Sequence, residues 1–428
     1  MKFQRNAHLT EPRAAAGLFV ISFALVGGNV ASKIFSPVQE MAKLDLGIND
    51  FEVSLVQGLA AAIPIALLSI PIGRLADRAN RIRILIVTSI VWTIGTFLTS
   101  VAQDFAVLFV ARMLANVAAI ALPVAISLAA DFSRPTRRGR AMLVLSLGVS
   151  AGGAAAFALG GWLSGVLTRA EWSWLDPSRI HPWRSVQVLA GLVSVILILP
   201  LLWIREPARM EVGEIRGAEL LPVLRELWNR RRILLPLFIG QISVIMADTA
   251  AAIWASPVLI RDHGLRPDQF GGWMGLVVLI PGIAGAFAGG FLADFGQKLK
   301  IRGGIIYGSI LAAALSIPAA MFAVMPSVEG FAALLALLLL CGAIAGVVNA
   351  TAIAVLVPNE LRGICLGALI VLSAIVAIGM APTMVTLLAG VLGGDSHLAL
   401  ALTVIGTAVS VASLIAFIVA SVFMSRQR

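Results

Sequence analysis

The sequence predicts an all-α integral membrane protein with twelve transmembrane helices arranged as two pseudo-symmetric bundles of six. Three observations carry that expectation. The 428 residues are 59% hydrophobic and only 13% charged, with a mean hydropathy of +0.97, whereas soluble domains are roughly half apolar and a quarter charged. Uncharged apolar runs of about twenty residues recur along the whole chain, each long enough to cross a hydrocarbon layer as a helix. The two halves repeat each other at one constant offset of 217 residues.

In chain order the runs lie near 14–37, 52–72, 83–101, 104–130, 141–168, 185–204, 233–260, 269–292, 303–325, 329–357, 363–392 and 398–424. The first is far longer than a signal-peptide core and has no convincing cleavage site, so it reads as a retained span. Pro64, Pro71, Pro257, Pro281 and Pro318 fall in or beside runs, where a missing N–H kinks a helix. Between the fifth and sixth runs, Glu171, Trp172, Trp174, Asp176, His181 and Trp183 read first as an interfacial aromatic anchor, with a substrate gate as the alternative. Between the sixth and seventh lies the longest polar segment. Its Leu220, Leu224, Leu227 and Trp228, beside Glu219, Arg225 and Glu226, have the spacing of a helix lying on the membrane surface, a solvated linker being the plainer alternative. The expected organisation is therefore a bundle over 1–204, a linker over 205–232 and a bundle over 233–428. Cys341 and Cys365 fall inside runs and read as inert thiols. His8, His181, His263 and His397 show no ligand spacing, so neither a metal nor a cofactor is expected.

The net charge of +10 raises nucleic acid as a partner, but topology explains it better. With the N-terminus in the cytoplasm, 24 of the 32 Lys and Arg fall in cytoplasmic segments, six in outer loops, and two, Lys33 and Arg112, inside spans. That asymmetry is the positive-inside pattern. It places both termini in the cytoplasm of a multi-pass inner-membrane protein and leaves no charge for nucleic acid to explain.

The repeat aligns Gly47 with Gly264, Gly58 with Gly275, Pro64 with Pro281, Gly73 with Gly290, Leu75 with Leu292, Ala76 with Ala293 and Asp77 with Asp294. One offset running through the second and eighth spans, ending in GRLAD and GFLAD, marks a duplicated six-helix unit.

Gly73-Arg74-Leu75-Ala76-Asp77-Arg78, followed by Arg81 and Arg83 before the third run, resembles the signature of the major facilitator superfamily. The weaker copy, GFLADFGQKLK with Gly290 and Asp294, follows the eighth run. Gly73 would let a neighbouring helix approach, and Asp77 would accept bonds from a helix start or from Arg78 and Arg81. A plain stop-transfer cluster would need neither the glycine nor the acid. Pro71 to Arg78 with Asn80-Arg81, Arg112 to Asp131 with Pro123, Ser127 and Leu128, Arg138-Gly139-Arg140-Ala141, Gly160-Gly161-Trp162-Leu163 and Arg205-Glu206-Pro207 resemble bacterial members of the Spinster-like branch. In the second half the resemblance thins to Val357–Gly363. It implies a secondary transporter, often of lipid-like or aromatic organic anions, with proton coupling proposed for some members. Two departures count against carrying coupling over. The branch's Asn-x-x-Asp-Arg pattern stands here as Asn29-Val30-Ala31-Ser32-Lys33, and its glutamate six residues after the span-four arginine is Ala118.

Polar side chains inside hydrocarbon are costly and mark function by default. Asn29 and Lys33 lie in the first run, Arg112 and Asn116 in the fourth, Gln241 and Asp248 in the seventh, and Asn349 in the tenth. Spacings of four and seven residues point each set one way from its helix, so one central cavity is the economical reading. Two fixed cations against one acid then call for an amphipathic anionic substrate, with Asp248, which the offset maps onto Ala31, as the remaining candidate for a proton-linked switch. The expected partners are that small molecule, protons and membrane lipids, the chain acting as a monomer. A passive facilitator or an exporter of other small molecules is the nearest alternative. A lipid-modifying enzyme would need a nucleophile–base pair, paired carboxylates or a metal cluster, and none is evident. A non-transporting sensor of the same fold stays open.

Overall fold

The computed structural model describes residues 11–133, 137–169, 181–207, 226, 228–298 and 303–426. Among the described residues, twelve helices are long and apolar enough to cross a membrane: α1 (Ala14–Leu46), α2 (Asp50–Arg78), α3 (Arg81–Val101), α4 (Phe105–Phe132), α5 (Arg138–Arg169), α6 (Pro182–Trp203), α7 (Arg231–Arg261), α8 (Pro267–Lys298), α9 (Gly304–Val324), α10 (Val328–Leu356), α11 (Leu361–Leu392) and α12 (Asp395–Ser425). Each predicted run is one of them. Several helices outlast their apolar stretch, because composition changes at the hydrocarbon edge while the backbone ladder continues into the polar zone. The GRLAD motif thus rides on the last turns of α2 rather than on a loop.

Twelve crossings put the start of α1 and the end of α12 on one side, here called the terminal face; the other is the distal face. The repeat is visible in the backbone. Gly47 and Gly264 close α1 and follow α7 with φ of 63° and 65°, a left-handed conformation that a side chain would strain. Gly58 of α2 meets the Ile378 carbonyl of α11, and Gly275 of α8 meets the Ala154 carbonyl of α5. The two halves therefore touch along α2–α11 and α5–α8, contacts in which backbones approach closely because the residues are small.

Buried apolar side chains form three clusters. One lies within the first half around Trp92, Leu128 and Phe132, and one within the second around Leu237, Ile353 and Phe417. The largest joins both halves through Phe35, Trp183, Trp254, Phe270 and Phe331. Trp183 is fully buried and its indole N–H donates to Asp45 at 3.0 Å. It is a core residue, not an interfacial anchor, because the charged partner it needs is supplied inside. Glu171, Trp172, Trp174 and Asp176, and residues 219, 220, 224, 225 and 227 of the expected surface helix, lie outside the described residues.

Candidate functional site

The site begins at a break in α1. Pro37 cannot donate to the ladder and disfavours helix in the residue before it, so the first helix ends at Lys33, a single 3-10 turn covers Ser36–Val38, and a short helix resumes over Gln39–Leu46. The break leaves carbonyls of the ending helix without intrahelical partners. Arg112 of α4 takes them: only 1% exposed, it donates to Ala31 O at 3.3 Å and to Ser32 O, and lies 5.1 Å over the Phe35 ring. Asn116 accepts from the Ser32 hydroxyl at 2.6 Å and donates to Arg112 O at 2.8 Å. Gln57 stands 3.5 Å from the guanidinium and donates to Gln39 at 2.7 Å, and Gln39 donates to Ile253 O of α7, also at 2.7 Å. Dipoles, with no carboxylate among these contacts, surround the arginine charge.

Lys33, one turn from this cluster, is exposed. A Cβ on Gly153 of α5 would lie 3.3 Å from its Nζ and 3.6 Å from Val278 of α8. The ammonium thus sits in the seam between the halves, and it has no hydrogen-bond or ion-pair partner among the described residues. Asn29 bonds back to Leu25 O at 2.9 Å on its own helix.

The remaining candidates lie elsewhere, which corrects the single-cavity expectation. Asp248 packs against Gly342 of α10, where any Cβ would overlap the carboxylate. The cavity it lines is closed by α7, α9, α10 and α12, all of the second half. Gln241 and Asn349 are buried toward the terminal face along the same α7–α10 seam. Helical spacing gave each helix's polar stripe but not which neighbour the stripe faces. Asp248 therefore does not offset the charge of Lys33 and Arg112.

A cluster that sequence reasoning missed closes the distal face. Arg261 at the end of α7 donates to both oxygens of Glu40, at 2.6 and 3.0 Å, and to both of Asp50, at 2.6 and 2.7 Å. Lys43 pairs with Asp50 and, at 2.9 Å, with Asp395. Arg169 of α5 pairs with Asp268 of α8. All but the Lys43–Asp50 pair cross between the halves. A signal was available: Arg261 lies 218 residues from Lys43 and Asp268 lies 218 from Asp50, within one residue of the repeat offset.

On the terminal face Arg230 pairs with Glu226 at 3.1 Å, one turn away, and Arg81 gathers acids from the first half and from the segment that follows it. Arg81, 4% exposed, donates to Asp131 at 2.6 Å, to Glu206 at 2.7 Å and to the Ser127 hydroxyl at 2.9 Å. Arg74, Asp77, Arg78 and Asp294 are exposed. Cβ atoms placed on Gly73 and Gly290 would meet nothing within 4 Å, so the expected close helix approach at Gly73 is absent here: the halves diverge at this face.

A model of the Major Facilitator Superfamily matches residues 18–378. The chain belongs to the major facilitator superfamily. That is a family of transporters, not of enzymes. This superfamily member is 29% identical over 265 residues to the 3-(3-hydroxy-phenyl)propionate transporter of Escherichia coli (strain K12), an alignment spanning 61% of this chain and 59% of that protein's length. Its fold matches the crystal structure of a bacterial homolog of the human lysosomal transporter Spinster, in an inward-facing and unoccupied conformation, with a TM-score of 0.76 and 20% identity over 97% of both chains. It also matches a nucleoside transporter with a TM-score of 0.71 and 11% identity, over 96% of this chain and 99% of that one.

Proposed function

We propose that this multi-pass membrane protein is a secondary transporter of amphipathic organic anions, working by alternating access. The observation that carries the reading is the Lys33 ammonium, exposed in the seam between the halves and unpaired among the described residues. Arg112 reinforces it, since its buried charge is met only by dipoles. A fixed charge beside a water-filled cleft in a membrane protein draws a counter-charge, and a carboxylate or phosphate with an apolar body supplies it. The hydroxyphenylpropionate transporter it resembles is named for such an aromatic carboxylate. The moving bodies are residues 1–204 and 233–428, joined by 205–232. The positive-inside pattern assigns the terminal face to the cytoplasm of an inner membrane, so the state described, clamped distally and open at the terminal face, is the inward-facing one. The motif residues Gly73, Arg74, Asp77, Arg78, Arg81, Gly290 and Asp294 act at the face that closes in the opposite state. Since no acid contacts Lys33 or Arg112 among the described residues, a coupling ion would act through Asp248.

The test is flux into proteoliposomes across a panel of anionic, neutral and cationic aromatic amphiphiles. Anions are expected to be preferred, and Lys33→Ala should slow their flux about tenfold or more, the loss of one charge-assisted bond. Preference for cations, or undiminished anion flux in Lys33→Ala, would overturn the reading.

A further inference from the structure

The carboxylate of Asp248 stands apart from the anion seam and needs its own account. It lines a cavity with room for about one water molecule, shared with Ser316 of α9, Ser410 of α12 and Cys341 of α10, and otherwise walled by valine, alanine and leucine side chains and by Gly342. Its Oδ1 is buried without a hydrogen-bond partner, and so is the hydroxyl of Ser410, a residue 2% exposed. Both line one cavity, yet they do not bond each other. The Ser316 hydroxyl gives its proton to Ala313 O at 2.8 Å, which leaves its lone pairs as acceptors. No Lys, Arg or His lines the cavity; Cys341 is the one other titratable lining group.

We propose that Asp248, Ser316 and Ser410 hold a monovalent cation of sodium's size inside the second half, separate from the anion site. Charge comes first: an ionised carboxylate among apolar walls needs one positive charge beside it. Geometry chooses the form of that charge. A proton would satisfy one carboxylate oxygen and ask for one acceptor, whereas this cavity is lined by a carboxylate and two hydroxyl side chains around a space about one water wide. Hard cations take such oxygen ligands, and the cation would fill the space itself. Gly342 belongs to the site because a side chain there would displace the carboxylate.

Further polar groups lie along the same seam. α7 and α10 run antiparallel and touch at Gly342 with Asp248 and, nearer the terminal face, at Gly346 with Gln241. Toward that face the seam carries buried polar atoms without partners, Gln241 Oε1 and both amide atoms of Asn349, residues that an apolar seam would not contain. A cation would reach Asp248 from this side.

Binding can be read without transport, so this site and the anion reading fail separately. The experiment is thermal unfolding of the purified full chain with sodium chloride titrated against choline chloride at constant ionic strength, at two pH values. A ligand that binds only the folded state raises Tm as its concentration passes Kd, and the rise continues with the logarithm of concentration. We expect that rise with sodium and not with choline, lost in Asp248→Asn, and shifted to at least about tenfold higher sodium in the milder Ser410→Ala. It should persist in Lys33→Ala, the variant that loses anion flux. Equal Tm in sodium and choline, stabilisation by acid alone, or a full sodium effect in Asp248→Asn would each overturn the proposal.

Discussion

The same four helices, α2, α5, α8 and α11, meet at the distal face and part at the terminal face. Distally, glycine contacts bring backbones together at Gly58–Ile378 and Gly161–Gly271, and charges cross the seam at Arg261–Glu40, Arg261–Asp50 and Arg169–Asp268. At the terminal face, Gly73, Gly139, Gly290 and Gly363 would accept a Cβ without meeting any atom within 4 Å. Both ends carry small residues and charges, with Lys and Arg denser at the terminal one. What differs is partnership: Arg261 finds its acids in the other half, whereas Arg81 finds Asp131 in its own half and Glu206 in the segment directly after it. On the proposed alternating-access reading, a clamp at one end and open seams at the other let the halves rock, and the clamped end sets which state is populated.

The comparison breaks most directly at Arg261. Arg261→Ala leaves Glu40 and Asp50, 12% and 6% exposed, without their bidentate partner, a change of about 2–5 kcal/mol for truncating one side of a buried charge pair. Amide exchange over Gln39–Leu46 is expected to speed up sharply as the distal face opens. Unchanged exchange would show that the apolar cluster around Trp254 and Phe270 holds the closure alone.

Gln39→Leu is the next test. It removes the donor to Ile253 O and leaves the Gln57 amide with only the Ser36 hydroxyl as acceptor, at a cost of about 1–3 kcal/mol. It should move exchange the same way by less, and the double variant with Arg261→Ala should be non-additive, because both act on one closure.

Asp77→Asn probes the other end. Transport should slow while the protein stays folded in the membrane, since the acid is exposed here and, on the proposed mechanism, acts when the terminal face closes. Asp294→Asn should matter less, because Arg74, Arg78, Arg81 and Arg83 crowd only the first copy. Equal effects would mean that the two copies share the work.

The smallest effect is expected from paired glycine changes. Gly73→Ala should leave stability within about 0.5 kcal/mol, the range of a surface substitution. Gly275→Ala, whose Cβ would come 2.8 Å from the Ala154 carbonyl, should loosen the distal contact measurably. Thermal unfolding of the two variants side by side checks the contrast.

Read from residues alone, the number and order of the spans, the repeat and the intramembrane polar residues were all accessible. Each follows from local chemistry: twenty apolar residues suit a helix across a bilayer, and one offset through Gly47, Gly58 and Gly73 records duplication. Gly47 and Gly264 even share their left-handed φ, as a repeated helix end would require. Orientation of those elements was another matter. Helical spacing shows that Gln241 and Asp248 share a stripe, but only packing turns that stripe toward α9, α10 and α12 and away from Lys33. Nor could spacing reveal that Arg112 would be spent on the carbonyls of a break in α1; and although the repeat offset relates Arg261 to Lys43, only packing brings Arg261 onto Glu40 and Asp50, 211 or more residues away. Hydrophobicity is non-directional: it decides that a segment enters the membrane, and leaves the choice of neighbour to close packing and to the pairing of the few charges that tertiary structure brings within reach.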